Sequence, residues 1–132
     1  PRSTRKESSA ASDVYKRQTL NFMIKKGCDP KNVTAVIGPC ISVKNYEVKK
    51  DFIKKLMKKD KKNKKFLKKI QNKDFFNLKK YIYSQLKTLN IKKIDIINKD
   101  TFNPKNSFFS ARRSISRNEN DYGRNISVIM IN

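Results

Sequence analysis

Histidine and tryptophan are absent from this chain, cysteine occurs only twice, and glycine only three times. Without histidine, a Cys/His zinc site cannot be completed from these residues. Nor does Cys28 or Cys40 have an imidazole to activate it as a nucleophile. Two thiols permit one disulfide on count alone. No signal peptide is visible, however, so a reducing, cytoplasmic setting with both thiols free is expected. No apolar run approaches the roughly 18 residues of a membrane span, so no membrane partner is expected. Acidic residues are scarce too: 11 Asp and Glu stand against 33 Lys and Arg, a net charge of +22.

Such charge admits two readings, a solvated Lys-coated surface or a nucleic-acid-associated module. Lys, Asn and Ile are abundant together, the profile that AT-rich codons supply throughout a genome. The stretch from Lys54 to Lys69 holds a single aromatic, Phe66, and so lacks a stacking platform. A solvated surface is the better reading, and nucleic acid is not expected as a partner. At 132 residues the chain suits one domain or part of one.

Residues 1–18 differ from the rest, using Arg, Ser and Ala where the remainder uses Lys, Asn and Ile. Back-translated, Ser8–Gln18 (SSAASDVYKRQ) resembles the adapter that a widely used sequencing transposase attaches to DNA fragments. Residues 1–18 are therefore expected to be a non-native, disordered leader, and residues 19–132 the C-terminal part of a single domain.

From Thr19 the pattern turns regular. Leu20, Met23 and Ile24 predict the end of a helix, with Gly27 as its left-handed cap. Val33–Ile37 predicts a buried strand that Gly38-Pro39 terminates. Asn45 is the expected N-cap of a helix running to about Lys58, with Glu47 in its first turn. Lys58–Lys69 is expected to be an exposed loop or loose helix. Asp74 is the expected cap of the clearest helix, with Phe75, Leu78, Ile82, Leu86 and Leu89 forming one apolar stripe that ends at Asn90. Ile94–Ile97 predicts a strand and Thr101–Ser107 a loop. Phe108–Arg113 is short and mixed, and Ser114–Arg124 predicts a polar turn region. Ile126–Ile131 (ISVIMI) predicts a central strand buried on both faces. The order argues for an α/β fold with mixed sheet layers flanked by helices.

Two segments invite chemistry. Gly38-Pro39-Cys40 follows a strand, where ligand-facing loops are common, although from spacing alone an ordinary strand-to-helix turn is the favoured reading. Cys40 itself is expected to be a small buried thiol. In Phe108-Phe109-Ser110-Ala111-Arg112-Arg113, two aromatics beside two guanidinium groups can stack on a base and hold an anion. They can equally be core rings beside surface arginines.

Taken in order, AVIGPCISVKNYEVKKDF, DFFNLKKYIYSQL with DIINKDTF, FFSARRS and YGRNISVIMI resemble the laccase-domain family. That family is variously called multicopper polyphenol oxidase, purine nucleoside phosphorylase and peptidoglycan editing factor. The resemblance covers essentially all of residues 19–132. It implies an α/β fold and zinc-dependent phosphorolysis of purine nucleosides, methylthioadenosine included, together with adenosine deamination. It implies purine nucleosides and phosphate as partners. The older name implies copper-dependent phenol oxidation instead. The family's metal is held by two His and one Cys in segments that have no counterpart here, so no catalytic or metal-binding residue is assigned in this chain. Substrate contacts are expected at Arg112 or Arg113 for an anionic group, Phe109 for the base face, Ser110 among the same residues, and Gly38 and Pro39 near the ligand.

Overall fold

The computed structural model describes residues 9–130. Helix α1 spans Ser9–Lys25 and crosses the Gln18–Thr19 composition break. Disorder was expected through Gln18, whereas residues 9–18 are helical and continuous with the regular pattern that follows. Alanine and long unbranched side chains carry high helix propensity. Residues 1–8 lie outside the described residues. The end of α1 forms as its glycine dictates. Gly27 adopts φ +93°, Cys28 N donates to Met23 O at 3.0 Å and Gly27 N to Ile24 O at 2.9 Å. This is the paired hydrogen-bond pattern of a Schellman cap.

Strand β1, Thr34–Ile37, pairs in parallel with β5, Lys93–Ile96, in the register Thr34↔Lys93 to Ile37↔Ile96. The expected full burial of β1 is corrected to burial of one face. Ile37 is buried and Ala35 partly so, while Thr34 and Val36 are exposed. The inward residues join Leu20 of α1 and Leu86 and Ile91 in one apolar cluster.

Between these strands in chain order comes a second, antiparallel sheet that the sequence pattern concealed. Its strands are β2, Glu47–Val48, β3, Leu67–Ile70, and β4, Lys73–Phe76, in the order β2-β4-β3. Gln71 and Asn72 both take positive φ, 47° and 59°, and close the β3–β4 hairpin with Ile70 opposite Lys73. A two-residue loop with both φ positive matches the right-handed twist of the flanking strands. Of the loop or loose helix expected over Lys58–Lys69, the structure forms the end of the preceding α-helix, the start of β3 and, between them, a short 3-10 helix, Lys61–Phe66. Its lysines point outward while Phe66 is buried.

Helix α2 spans Lys50–Lys59, so the expected cap at Asn45 is also corrected. Asn45 ends a 3-10 turn, Val43–Asn45, and Glu47 lies in β2 rather than in a helical first turn. Asp51 takes that electrostatic place. Helix α3, Leu78–Thr88, begins later than expected. Its cap is Asn77, whose side chain accepts from Lys80 N. Asp74 lies in β4, where it pairs with Val48 and Lys69. Val48, Leu56, Phe66, Phe76 and Tyr81 form the second core. Phe76 meets Phe52 edge-on at 5.0 Å between centroids and Tyr81 at 5.3 Å. Helix α3 serves both cores, with Tyr81 in one and Leu86 in the other.

After β5 the chain forms a 3-10 turn, Pro104–Asn106, and helix α4, Ala111–Ser116. Residues 126–130 form no strand. Ile126 is 89 % exposed and Met130 81 %, so burial on both faces is corrected for these residues; Ile131 lies outside the described ones. An apolar run becomes a central strand only where neighbouring strands take up its backbone groups, and among the described residues none pairs with it. The α/β class holds, with one parallel pair, one antiparallel sheet and four α-helices among the described residues.

Candidate functional site

Beyond Ile37 the parallel pairing is interrupted by Gly38-Pro39, because proline has no N–H to donate. It resumes at one point. Cys40 N donates to Lys99 O and Thr101 N donates to Cys40 O, each at 3.3 Å. This bridge sets Cys40 beside Asp100.

Asp100 collects donors from both loops. Oδ1 accepts from Ser42 N at 3.1 Å and from Phe102 N at 2.9 Å. Oδ2 accepts from the Ser42 hydroxyl at 2.6 Å and from Asn45 Nδ2 at 2.7 Å. Partial burial pushes its pKa up, but the hydrogen bonds from Ser42, Phe102 and Asn45 together outweigh this and hold it below the ordinary carboxylate value. The carboxylate therefore ties the Gly-Pro loop to the loop after β5. The signal in the sequence was an Asp two residues ahead of Phe102, the spacing at which an Asp side chain caps its own turn. Ser42 and Asn45 carried no such mark. Cys40 is half-buried and free. Burial raises its pKa, partly opposed by Lys79, so it remains a thiol at neutral pH and a weak nucleophile. Cys28 is free and exposed.

The Phe108–Arg113 segment is divided by the structure. Ser110 is buried and caps α4, its hydroxyl accepting from Arg113 N at 3.3 Å. The Arg113 guanidinium turns back on the preceding loop. It donates to Thr101 O at 3.0 Å, Phe102 O at 2.9 Å and Phe108 O at 2.6 Å. One planar fork thus closes residues 101–108 into a fixed loop.

Arg112 points elsewhere and is exposed. Nη1 donates to Glu47 O at 3.1 Å, and the guanidinium lies over the Tyr46 ring at 5.4 Å. The Tyr46 hydroxyl pKa is raised by burial, with the Arg112 charge opposing. The two arginines are therefore not brought to one point.

Phe109 remains 57 % exposed. Its backbone N donates to Asn125 Oδ1 at 3.0 Å, and Asn125 Nδ2 donates to its carbonyl at 2.8 Å. Its ring lies so close to Gly123 that a Cβ there would fall 2.5 Å from it. Only glycine permits that approach. Gly38, half-buried, lies near Ser127, whose Oγ would be 3.6 Å from a Cβ added there.

The metal that the resemblance implies finds no donor set among the described residues. Histidine is absent, Asp100 is taken up by four hydrogen bonds, and among the described residues no three His, Cys, Asp or Glu gather. These residues do not fit a zinc site. Among the described residues no helix is long and apolar enough to cross a membrane.

Comparison with known proteins gives this arrangement a family. Residues 8–132 match the family model described as multi-copper polyphenol oxidoreductase laccase. A curated protein of Rickettsia prowazekii, named purine nucleoside phosphorylase, is 37% identical over 94 residues, covering 70% of this chain and 38% of that protein. A namesake in Rickettsia conorii is 37% identical over 98 residues, covering 73% of this chain and 40% of that protein. The chain thus spans about two-fifths of the length of these curated relatives. By the extent of these matches, the chain belongs to the multi-copper polyphenol oxidoreductase laccase family.

Proposed function

We propose that this chain forms part of a purine nucleoside phosphorylase, supplying one wall of the nucleoside pocket. The observation that carries the reading is the 37% identity to curated relatives of that name. The geometry supports specific roles. Arg112 is exposed and reaches a protein carbonyl through one nitrogen, which leaves further donors for an anion such as phosphate. Phe109 offers an exposed ring to a purine face. Ser110 and Arg113 act behind them, by capping α4 and fixing the loop on which Phe109 stands. Gly38 and Pro39 shape the neighbouring turn.

Adenosine deamination, methylthioadenosine phosphorolysis and zinc dependence extend the same reading. Zinc would be held by residues other than these 132, and no step of this chain's chemistry runs through it. On this reading the 132-residue chain alone is inactive and its setting is the cytoplasm.

The test is phosphorolysis of inosine and adenosine by a full-length protein with the relatives' remaining length restored. Arg112→Ala is expected to lower turnover at least about tenfold, the scale of one lost charge-assisted hydrogen bond in a transition state. Unchanged turnover removes Arg112 from the site. The family model's description favours a second reading, copper-dependent phenol oxidation. Phenol oxidation by the copper-loaded full-length protein without phosphorolysis would replace the first reading with the second.

A further inference from the structure

A groove of about 860 Å³ opens on the molecule, lined by Ser42, Val43 and Lys44 on one side and by Asn77, Lys79, Lys80 and Tyr83 on another. Ile96, Asn98 and Asp100 complete it. None of Phe109, Arg112 or Arg113 lines this groove.

Its charge is unbalanced. Three lysines line it beside one carboxylate, Asp100, whose two oxygens already take four hydrogen bonds from Ser42, Asn45 and Phe102. The lysines stand on separate supports. Lys44 belongs to the 3-10 turn that Asp100 anchors, and Lys79 and Lys80 belong to α3. Lys79 is half-buried and donates to Asn98 Oδ1, which holds its ammonium at the groove. Like charges gathered along one groove repel one another and raise the local concentration of anions. Such a cluster is stabilised when an anion enters. The apolar surface of Val43, Tyr83 and Ile96 suits a flat, uncharged portion of the same ligand.

We propose that this groove binds a phosphorylated small molecule of mononucleotide size, with Lys44, Lys79 and Lys80 on the phosphate and Tyr83 and Ile96 against the base or sugar. The volume falls within the roughly 300–1,000 Å³ of small-molecule sites. A nucleic-acid strand fits less well, because only one aromatic side chain, Tyr83, lines the groove and base stacking needs successive rings. The inference does not rest on phosphorolysis, since binding is read on this chain without turnover.

The test is calorimetric titration of the 132-residue chain with adenosine monophosphate, and separately with inorganic phosphate, near 0.15 M salt. There the Debye length of about 8 Å suppresses diffuse attraction. Saturation at one nucleotide per chain is expected. Lys44→Ala with Lys80→Ala should weaken binding about tenfold, as the loss of two charge-assisted contacts implies. Both side chains are exposed, so the fold is retained. The control, Lys54→Ala with Lys55→Ala, removes equal charge from exposed positions on α2 and should leave affinity unchanged. Equal weakening by both pairs shows attraction to net charge alone and overturns the site. So does an absence of saturation, or an oligonucleotide that displaces the mononucleotide and is itself weakened by the Lys44/Lys80 pair. Inorganic phosphate binding as tightly as the nucleotide removes the base-facing role of Tyr83 and Ile96 and overturns the mononucleotide assignment.

Discussion

Adjacent arginines with divergent partners give the sharpest test of the structure. Arg113 is half-buried and donates to three carbonyls. A hydrogen bond to a charged group contributes about 1.5–3 kcal/mol where it is shielded. Arg113→Ala frees three carbonyls at once, but water reaches this partly open loop, so much of that sum is recovered. The expected net loss is about 2–4 kcal/mol. Arg112→Ala removes one exposed hydrogen bond and one ring contact, which are together worth about 0.5–1 kcal/mol at an exposed site. Urea denaturation followed by far-UV circular dichroism measures both. Arg113→Lys should recover little, because an ammonium cannot span three carbonyls with a planar fork. Equal destabilisation by the two alanine substitutions would refute the division of labour, since it would mean that Arg113 does not close residues 101–108.

Four further outcomes follow from the geometry. Asp100 has a pKa lowered in the folded chain, so its contribution to stability is present above the unfolded value and lost as pH falls through the folded one. Stability measured from pH 6 to pH 3 should decline more steeply for the wild type than for Asp100→Asn; parallel curves would contradict the carboxylate's role. Phe76→Ala removes a ring at the centre of the aromatic core and should cost about 3–5 kcal/mol by the same denaturation assay, a loss below 1 kcal/mol counting against the packing. Ile126→Ser with Val128→Ser should change stability by no more than about 0.5 kcal/mol and reduce binding of a hydrophobic dye, because both side chains are exposed; a loss of several kcal/mol would restore the buried strand. In thiol titration with a coloured disulfide at pH 8, Cys28 should react first and Cys40 several-fold more slowly, given burial and a raised pKa at Cys40; equal rates would contradict that burial.

What the sequence displayed depended on whether local chemistry was enough to specify the element. Gly27 requires a left-handed φ wherever the chain goes, so the end of α1 was legible from one residue. Ile94, Ile96, Val36 and Ile37 are β-branched, and their segments form the parallel pair. The antiparallel sheet escaped notice because lysines occupy its outward positions, and alternation is hard to see when Lys68, Lys69 and Lys73 surround Leu67 and Ile70. Helix starts shifted for a related reason. Both Asn45 and Asp74 are good caps in isolation, yet tertiary hydrogen bonds and strand pairing claim them first. The candidate site was legible as a segment but not as a division of roles. Nothing in the step from Arg112 to Arg113 says which one turns toward Tyr46 and which toward Thr101. Helical geometry places successive side chains about 100° apart, and only the fold decides what each then meets.

The position of α3 links the two cores to the groove. Tyr81 packs with Phe66 and Phe76, Leu86 packs with the parallel pair, and the same helix carries Lys79, Lys80 and Tyr83 to the groove wall. Opposite them stand Ser42, Val43 and Lys44, held by Asp100 at the end of β5's loop. The width of the groove is therefore fixed by packing on two sides, with the Lys79–Asn98 hydrogen bond joining α3 to the loop after β5. Close-packed interiors transmit displacement because they contain few voids to absorb it. A cavity at Tyr81 and a cavity at Leu86 would thus shift the same lysines through different cores. Loss of Asp100 would instead release the opposite wall while leaving α3 in place. Nucleotide affinity should fall in all three cases, but only loss of Asp100 should do so without lowering the stability of either apolar core.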